Sequence, residues 1–376
     1  MRFETKNVHF QEKLDHTEMS KTKPIYQTSA FSFHDLDDME SFFKGEKSYL
    51  YTRVGNPNTD DLGKGVADLE GADKGAAASS GISAILAAVL AVAKSGDHII
   101  ATEDLYGGTY QLMAKELIDF GIETSFVDFT NKDSVINAIK DNTVLLYSES
   151  ITNPLLRVEN IEQVVGIAKE YKLKTIIDNT FATPYLIRPH ESGVDLVVHS
   201  ATKYIGGHSD LSAGVVTGSN ALMSKVKAKI TNIGSNLGPF DGWLACRGLK
   251  TLSLRMERQS RNASTLANYL ASNENIKKVY YPTAASKKGN GAIVSIELAE
   301  HVDVHQFFRQ LSWVKVVPTL AGVETSVTYP LGTSHRSVPE ATRERLGVST
   351  NLVRISVGIE DEEDIVEAFT EALSFS

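Results

Sequence analysis

The sequence predicts an α/β protein in which a mostly parallel sheet is covered by helices and is followed by a smaller α+β domain. Two observations carry this prediction. From residue 63 to about residue 217, short apolar runs alternate with stretches that have apolar residues at helical spacing, as in parallel sheets with helices on both faces. After Trp243 a polar helical stretch and then alternating strands replace that pattern, which indicates a second unit.

The elements follow in order along the chain. The first 48 residues lack clear periodicity and are expected to form an extended arm. Strands of the large sheet are expected at the apolar runs 98–101, 124–127, 144–147, 175–177, 196–198 and 214–216. Beyond them we expect a helix over about 241–271, strands over 292–298 and 352–357, and a closing helix over 361–373. The chain thus divides into an N-terminal arm (1–48), an α/β domain (49–240) and a C-terminal α+β domain (241–376).

The composition narrows the class of protein. Hydrophobic residues make up 42% and charged residues 23% of the 376 residues, which is typical of a soluble enzyme. A net charge of −9 argues against nucleic-acid binding, which needs clustered Lys and Arg. Cys246 is the single cysteine, and the first residues lack the apolar core of a signal peptide, so a cytoplasmic location is expected. The uncharged stretch 76–93 is mostly alanine and is expected to be a buried helix, so no membrane partner is predicted.

Two motifs suggest binding of an anion and of a ring cation. The segment 79–83 places small residues at the start of the alanine-rich helix, where exposed N–H groups and the helix dipole attract an anion. An ordinary helix cap is the alternative. Asp178 and Thr180 follow the apolar strand 175–177. A carboxylate buried at a strand end needs a cationic partner such as a pyridinium nitrogen. The alternative is a solvated Asp that caps the loop after the strand and needs no such partner.

Two further motifs suggest a reactive amine and a stacking ring. Lys203 follows strand 196–198 and is preceded by Ser200 and Thr202. The hydroxyls could bind a phosphate and the desolvated amine could form an imine. A surface lysine is the alternative, but it would explain neither the spacing of the hydroxyls nor the glycine pair that follows at 206–207. Tyr106 follows strand 98–101 and could stack on an aromatic ring or be a core residue. Together, the four motifs match the contacts that pyridoxal 5′-phosphate requires.

With these motifs the sequence resembles the Cys/Met-metabolism family of pyridoxal-phosphate enzymes. The likeness extends over nearly the whole chain, from residue 24 to residue 360. Its most specific blocks are His199-Ser200-Ala201-Thr202-Lys203-Tyr204, Gly206-Gly207-His208-Ser209-Asp210 and Arg247-Gly248-Leu249-Lys250-Thr251-Leu252. The resemblance implies the fold of the aspartate aminotransferase-like, PLP-dependent transferases.

The resemblance also implies roles for individual residues. Lys203 would be the Schiff-base lysine and Tyr106 the stacking ring that assists proton transfer. Cofactor binding would fall to Asp178 at the ring nitrogen, to Thr180 beside it, and to Gly81, Ile82, Ser200 and Thr202 at the phosphate. Tyr51 and Arg53 would reach the cofactor phosphate of a neighbouring subunit, which implies a homo-oligomer, expected as a tetramer. Substrate binding would fall to Asn153 and Arg354 at the carboxylate and to Glu324 and Thr325, where the family commonly has Glu-Ser. No metal is expected.

The activity that the resemblance implies is carbon–sulfur bond cleavage in sulfur amino-acid metabolism. We expect an α,γ-elimination of the cystathionine γ-lyase type, giving a thiol, a 2-oxo acid and ammonia. Alternatives within the family are γ-replacement on an activated homoserine, by a cystathionine γ-synthase or an O-acetylhomoserine sulfhydrylase, and methionine γ-lyase activity. Outside it, a non-catalytic PLP-binding protein would not need Asn153 and Arg354. A nicotinamide dehydrogenase is disfavoured because no Gly-x-Gly-x-x-Gly motif follows the early strands.

Overall fold

A large mixed sheet forms the first half of the fold. In the computed structural model, which describes residues 1–11, 20–336 and 338–374, seven strands are arranged in the order β1-β7-β6-β5-β4-β2-β3. The five strands from β6 to β3 run parallel, and β7 is antiparallel to β6 and β1. The strands are β1 Lys74–Ala78, β2 His98–Thr102, β3 Glu123–Val127, β4 Thr143–Glu149, β5 Lys174–Asp178, β6 Leu196–Ser200 and β7 Gly214–Gly218. This confirms the predicted fold class.

Helices cover both faces of this sheet and continue into the second half of the chain. Successive residues of the central strands enter different buried apolar clusters, because Leu145 and Ile176 belong to one cluster and Leu146 and Ile177 to two others. Both faces of these strands are therefore buried, which explains their continuous apolar runs. None of the described helices is long and apolar enough to cross a membrane. The helices are α1 Phe3–His9, α2 Leu36–Phe43, α3 Pro57–Glu70, α4 Gly81–Val92, α5 Gly107–Gln111, α6 Leu117–Asp119, α7 Lys132–Asn137, α8 Ile161–Tyr171, α9 Thr183–Leu186, α10 Asn220–Ile233, α11 Pro239–Leu249, α12 Leu252–Leu270, α13 Val304–Gln310, α14 Glu340–Leu346 and α15 Glu362–Ser374.

A five-stranded sheet forms the second half, in the order β10-β11-β12-β9-β8. Helices α12, α13 and α15 pack on it and enclose a separate apolar core. Its strands are β8 Ile276–Tyr280, β9 Ile293–Leu298, β10 Lys315–Val316, β11 Ser326–Thr328 and β12 Leu352–Ser356. The predicted strands 292–298 and 352–357 and the closing helix therefore exist, with bounds shifted by one residue.

Three sequence expectations differ from the structure. The stretch 76–93 is a strand end followed by α4, because Gly63 and Gly75 allow α3 to lie directly on β1; a Cβ on Gly75 would be 2.1 Å from the Gly63 carbonyl oxygen. The single helix over 241–271 is two helices that break at Lys250 and Thr251. The arm contains two helices, α1 and α2. In α1 the buried Asn7 side chain bonds the backbone at the junction of α11 and α12. Residues 12–19 lie outside the described part.

Candidate active site

A cavity of about 240 Å³ lies where the carboxyl ends of β4, β5 and β6 meet the start of α4. Parallel strands that end together place their following residues at one edge of the sheet, where ligands of such folds bind. The second sheet closes the cavity through Arg354 and the segment 318–320. Ten of the predicted site residues line it: Gly81, Ile82, Tyr106, Asn153, Asp178, Thr180, Ser200, Thr202, Lys203 and Arg354.

The start of α4 has the features of an anion site. Ser80 caps the helix and accepts a hydrogen bond from Ser83 N–H at 3.1 Å. No acceptor is described for the N–H groups of Gly81 and Ile82, which are the free donors of a helix N-terminus. Ser200 approaches so closely that a Cβ on Gly81 would lie 2.7 Å from the Ser200 Cβ. A phosphate therefore fits between this helix start and the end of β6.

The hydroxyls predicted to bind the phosphate differ in their availability. The Thr202 hydroxyl donates to the Ala213 carbonyl at 3.2 Å and accepts from its N–H at 3.0 Å. Thr180 Oγ1 accepts from Ser200 N–H at 2.8 Å, which joins the ends of β5 and β6. In the described structure, the Ser200 hydroxyl has no such partner. Ser200 is therefore better placed than Thr202 to donate to a phosphate.

Asp178 is a half-buried acid that lacks a cation. Its Oδ1 accepts from Thr180 N–H at 2.9 Å, and no ion pair with a described residue involves it. Burial raises the pKa of Asp178, and burial together with the charge of Asp178 raises the pKa of Glu149, its neighbour on β4, well above the usual range. A positively charged ring nitrogen would offset this cost for Asp178.

Lys203 presents its amine inside the cavity. Nζ donates to Thr319 Oγ1 at 3.0 Å. Burial and, second, the positive charge of Arg354 lower the pKa of Lys203 to about 8. A substantial neutral fraction is thus available near physiological pH, as both imine formation and proton abstraction require.

Tyr106 stands at the mouth of the cavity. It precedes α5, its side chain is 42% exposed, and its backbone N–H donates to Glu149 Oε1 at 2.8 Å. Its ring covers Gly108 so closely that a Cβ there would lie 2.5 Å from the ring. The ring is therefore positioned beside the space that a planar cofactor would occupy.

Arg354 and Asn153 form a cluster that is suited to a carboxylate, which we call the carboxylate clamp. Arg354 is only 2% exposed, and its Nη1 donates to Asn153 Oδ1 at 3.0 Å. Its Nη2 donates to the Thr319 carbonyl and to the Thr328 hydroxyl. The buried Nε has no hydrogen-bond partner among the described residues, and burial lowers the pKa of Arg354 to about 10. A buried donor without an acceptor points to an anionic ligand.

The structure does not bring Glu324 and Thr325 to the cavity. The Thr325 hydroxyl donates to Glu360 at 2.8 Å and accepts from Gly358 N–H at 2.9 Å. Glu324, with a side chain 48% exposed, forms an ion pair with Lys315 at 2.7 Å. The expectation that this pair contacts the substrate therefore has no support in the geometry. Thr319, located six residues before Thr325, provides the hydroxyl next to Lys203 instead.

Tyr51 and Arg53 are also absent from the lining of this chain's cavity. Arg53 donates to the Thr231 carbonyl at 3.3 Å and lies over the ring of Tyr51, which is exposed. Their predicted contact with a cofactor involves a second subunit, so a single chain does not test it.

Besides apolar residues of the lining, sequence reasoning missed four polar residues at the site. Glu149 and Thr319 line the cavity, as does Ser334, and the buried His335 next to it bonds Asn153. Glu149 had a visible signal, because it ends an apolar strand as Asp178 does. Thr319, Ser334 and His335 lie in irregular segments, where no periodicity marks them.

The site fits pyridoxal phosphate. The helix start has free N–H donors for an anion, Asp178 lacks a cation, Tyr106 flanks the space between them, and Lys203 reaches it with an amine of lowered pKa. These features are independent of one another and lie in one cavity.

Comparisons with known proteins agree with this site. Residues 4–374 match the family model described as "Cys/Met metabolism PLP-dependent enzyme". The chain is 42% identical over 380 residues to the cystathionine beta-lyase of Lactococcus lactis subsp. cremoris (strain MG1363), covering 98% of both chains. It resembles the crystal structure of cystathionine gamma-lyase from Lactobacillus plantarum complexed with L-serine, with a TM-score of 0.93, 35% identity, and coverage of 100% and 99%.

A third comparison concerns the cofactor. The putative O-acetylhomoserine (thiol)-lyase of Campylobacter jejuni, whose structure contains N′-pyridoxyl-lysine-5′-monophosphate, matches with a TM-score of 0.94 and 29% identity over 100% of both chains. Both the family and the fold predicted from the sequence are confirmed. The chain belongs to the Cys/Met-metabolism family of PLP-dependent enzymes.

Proposed function

We propose that the protein is a PLP-dependent carbon–sulfur lyase that cleaves a cystathionine-type thioether by α,γ-elimination. The observation that carries this proposal is that one cavity is lined by Lys203 and by Arg354, whose Nε has no hydrogen-bond partner among the described residues. An amine base beside a carboxylate-binding group is what removal of the α-proton from an amino acid requires. A protein that only stores the cofactor would need no carboxylate clamp.

Each polar residue of the cavity has its own role in the proposed elimination. When bound, pyridoxal phosphate supplies an electron sink for negative charge on the substrate. Arg354 and Asn153 hold the α-carboxylate, and so place the Cα–H bond near Lys203 Nζ. Lys203 in its neutral form accepts the Cα proton and releases it to a neighbouring carbon. Neutral again, it accepts a Cβ proton, and the electron pair left on Cβ allows the Cγ–S bond to break. The Tyr106 hydroxyl donates a proton to the departing sulfur, and Glu149 holds Tyr106 in place through its backbone N–H.

Product analysis tests the proposal. With cystathionine, α,γ-elimination releases cysteine, 2-oxobutanoate and ammonia, whereas β-elimination releases homocysteine, pyruvate and ammonia. The panel should include homocysteine, methionine, and O-acetylhomoserine with a thiol. Pyruvate as the sole oxo acid from cystathionine would establish a β-lyase. Efficient thioether formation from O-acetylhomoserine, without comparable elimination, would establish γ-replacement instead.

We also propose that the active form is a cytoplasmic homo-oligomer, a tetramer built from dimers. Apolar side chains of the N-terminal segment support an interface with another copy, because Leu36, Phe43 and Tyr51 are exposed. Helix α2 has no buried residue in the single chain. In this proposal each chain divides after residues 48 and 240 into an N-terminal arm, an α/β domain and a C-terminal α+β domain.

A further inference from the structure

We propose that His335 is a positioning residue for substrate recognition, which orients the carboxylate clamp through the backbone of Asn153. Nothing in the reaction requires this histidine to contact the substrate. Its side chain is 1% exposed and Nε2 lies 3.1 Å from the Asn153 carbonyl oxygen. Asn153 in turn accepts from Arg354 Nη1. This inference rests on the proposed role of Arg354 in binding the substrate carboxylate.

The hydrogen-bond chain has a single consistent direction. Burial and the charge of Arg354 lower the pKa of His335 to about 4 and outweigh the opposing effect of its hydrogen bonds to the Asn153 and Leu105 backbones, so the ring is neutral at physiological pH. A neutral imidazole has one N–H donor and one acceptor nitrogen. The Asn153 carbonyl only accepts, so the proton is on Nε2. Nδ1 therefore accepts from the Ser334 hydroxyl, 2.9 Å away.

The segment that carries His335 contacts both sides of the cavity. A Cβ on Gly107 would lie 1.8 Å from the Ser334 carbonyl oxygen, so the turn after Tyr106 packs directly against this segment. The backbone N–H of His335 donates to the Pro330 carbonyl at 2.9 Å. Ser334 itself lines the cavity. His335 thus links the irregular segment of the second domain to Asn153 on the first.

Removal of the Nε2 donor would free the Asn153 backbone and leave a buried carbonyl unsatisfied. Asn153 Oδ1 would then no longer be fixed opposite Arg354, and Arg354 would lose an acceptor that orients its guanidinium group at the cavity. The expected consequence is a weaker interaction with the substrate carboxylate, while binding of the amino group stays the same.

The experiment measures binding of the carboxylate separately from binding of the amino group. Glycine and methylamine differ by one carboxylate, and the affinity of the holoenzyme for each is measured from the change in cofactor absorbance. In His335→Phe, the dissociation constant of glycine should rise about tenfold or more, and that of methylamine should change by less than about twofold. His335→Gln retains a donor at the Nε2 position and should remain within about threefold of the parent for glycine. His335→Asn has no group at that position and should behave like His335→Phe.

Two control variants make the outcomes distinct. His98 is a buried histidine bonded to the hydroxyls of Thr143 and Ser125 and does not line the cavity. His98→Phe should lower stability without changing the ratio of glycine to methylamine affinity. Arg354→Leu should abolish the preference for glycine.

Any one of four results would overturn the inference. His335→Asn could bind glycine as the parent does, or His335→Gln could bind it as weakly as His335→Phe. The His335 variants could also weaken glycine and methylamine equally, which would assign them a merely structural effect. If Arg354→Leu itself keeps the glycine preference, the carboxylate clamp is wrong and the inference falls with it. Should His335→Phe fail to fold, the Gln and Asn variants decide the question.

Discussion

At the scale of single residues, the cavity contains ionisable side chains that are removed from water and lack a full set of oppositely charged partners. Arg354 is buried and Lys203 half-buried, and the charge of Arg354 contributes to the lowered pKa of Lys203. Glu149 is a buried acid and Asp178 a half-buried one, and the pKa values of both are raised. Such uncompensated groups cost stability and are retained where a ligand supplies the missing partner.

The lowered pKa of Lys203 predicts how cofactor capture depends on pH. Only the neutral amine has a lone pair to attack an aldehyde, so capture by the cofactor-free protein should accelerate by about tenfold per pH unit below pH 8. Above the pKa of about 8 it should level off. Stopped-flow absorbance after mixing with pyridoxal phosphate measures this rate.

The control for this profile is the charge of Arg354. Because that charge helps to lower the Lys203 pKa, Arg354→Leu should move the inflection to higher pH. A rate that keeps rising to pH 10 in the parent protein would show an ordinary lysine and contradict the prediction.

Thr319 and Thr325 provide a matched pair of substitutions. Thr319→Val removes the acceptor for Lys203 Nζ and should lower kcat/KM roughly tenfold, the effect of one lost hydrogen bond in a buried site. Thr325→Val removes two bonds to Glu360 and Gly358. It should lower the free energy of unfolding by about 1–3 kcal/mol and leave kcat/KM nearly unchanged. Steady-state kinetics and urea unfolding measure both, and the reverse pattern would restore Thr325 to the site.

At the scale of secondary-structure elements, the site depends on small residues where helices meet strands. Helix α4 starts at Gly81, directly against the end of β6. The turn at Gly107 packs against Ser334, and the α11 helix approaches the loop after Lys203, where a Cβ on Gly248 would lie 2.1 Å from the Gly206 carbonyl oxygen. Each approach allows backbone groups of one element to complete the cavity formed by another.

Gly81 should be sensitive to a single added methyl group. Gly81→Ala places Cβ about 2.7 Å from the Ser200 Cβ, which forces the end of β6 away from the helix start. We expect the affinity of the cofactor-free protein for pyridoxal phosphate to fall about tenfold or more, since several phosphate contacts share this geometry. Fluorescence titration measures the affinity.

Gly166, inside α8, is the matched control. A Cβ there meets no heavy atom within 4 Å, so Gly166→Ala should stabilise the protein by about 0.5–1 kcal/mol through helix propensity. Its cofactor affinity should equal that of the parent. Equal affinities in Gly81→Ala and Gly166→Ala would exclude the helix start as the phosphate site.

At the scale of the whole molecule, the cavity lies between two separately packed cores. The large sheet provides Asp178, Lys203 and the anion site, whereas β12 and the irregular segments of the second sheet provide Arg354, Thr319 and Ser334. Tyr51 and Arg53 belong to neither wall, and they lie on an exposed N-terminal segment. A second copy of the chain is therefore the natural acceptor for them in the proposed assembly.

Complementation between inactive chains tests the assembly. Arg53→Ala and Lys203→Ala should each be inactive if every site combines Lys203 from one subunit with Arg53 from its neighbour. Random mixing into symmetric dimers gives one intact site in each hybrid, and so about one quarter of the parent activity. Differently tagged chains verify that hybrids form. Hybrids that form but show no activity would show that Arg53 acts in the active site of its own subunit.

The sequence alone was sufficient for those parts of the protein that are encoded locally. Apolar runs of strand length, with no polar alternation, predict buried parallel strands, and β2, β4, β5 and β6 lie at or within two residues of the expected positions. Gly81 follows β1, which the sequence did not indicate as a strand. Asp178 and Lys203, however, lie at or just beyond the ends of β5 and β6, and parallel strands carry such residues to one edge. Their convergence was predictable because it follows from the topology of the sheet rather than from side-chain packing.

Only the tertiary structure decided which residues of the second half reach the cavity. Thr319 rather than Thr325 meets Lys203, Glu324 pairs with Lys315, and His335 bonds Asn153, 182 residues away in the chain. Irregular segments have no periodicity that indicates where a side chain points, and neighbouring hydroxyl residues are equivalent by composition. Their orientation is set when β12 and its neighbours pack against the large sheet, because contacts between distant segments select one of several locally similar conformations.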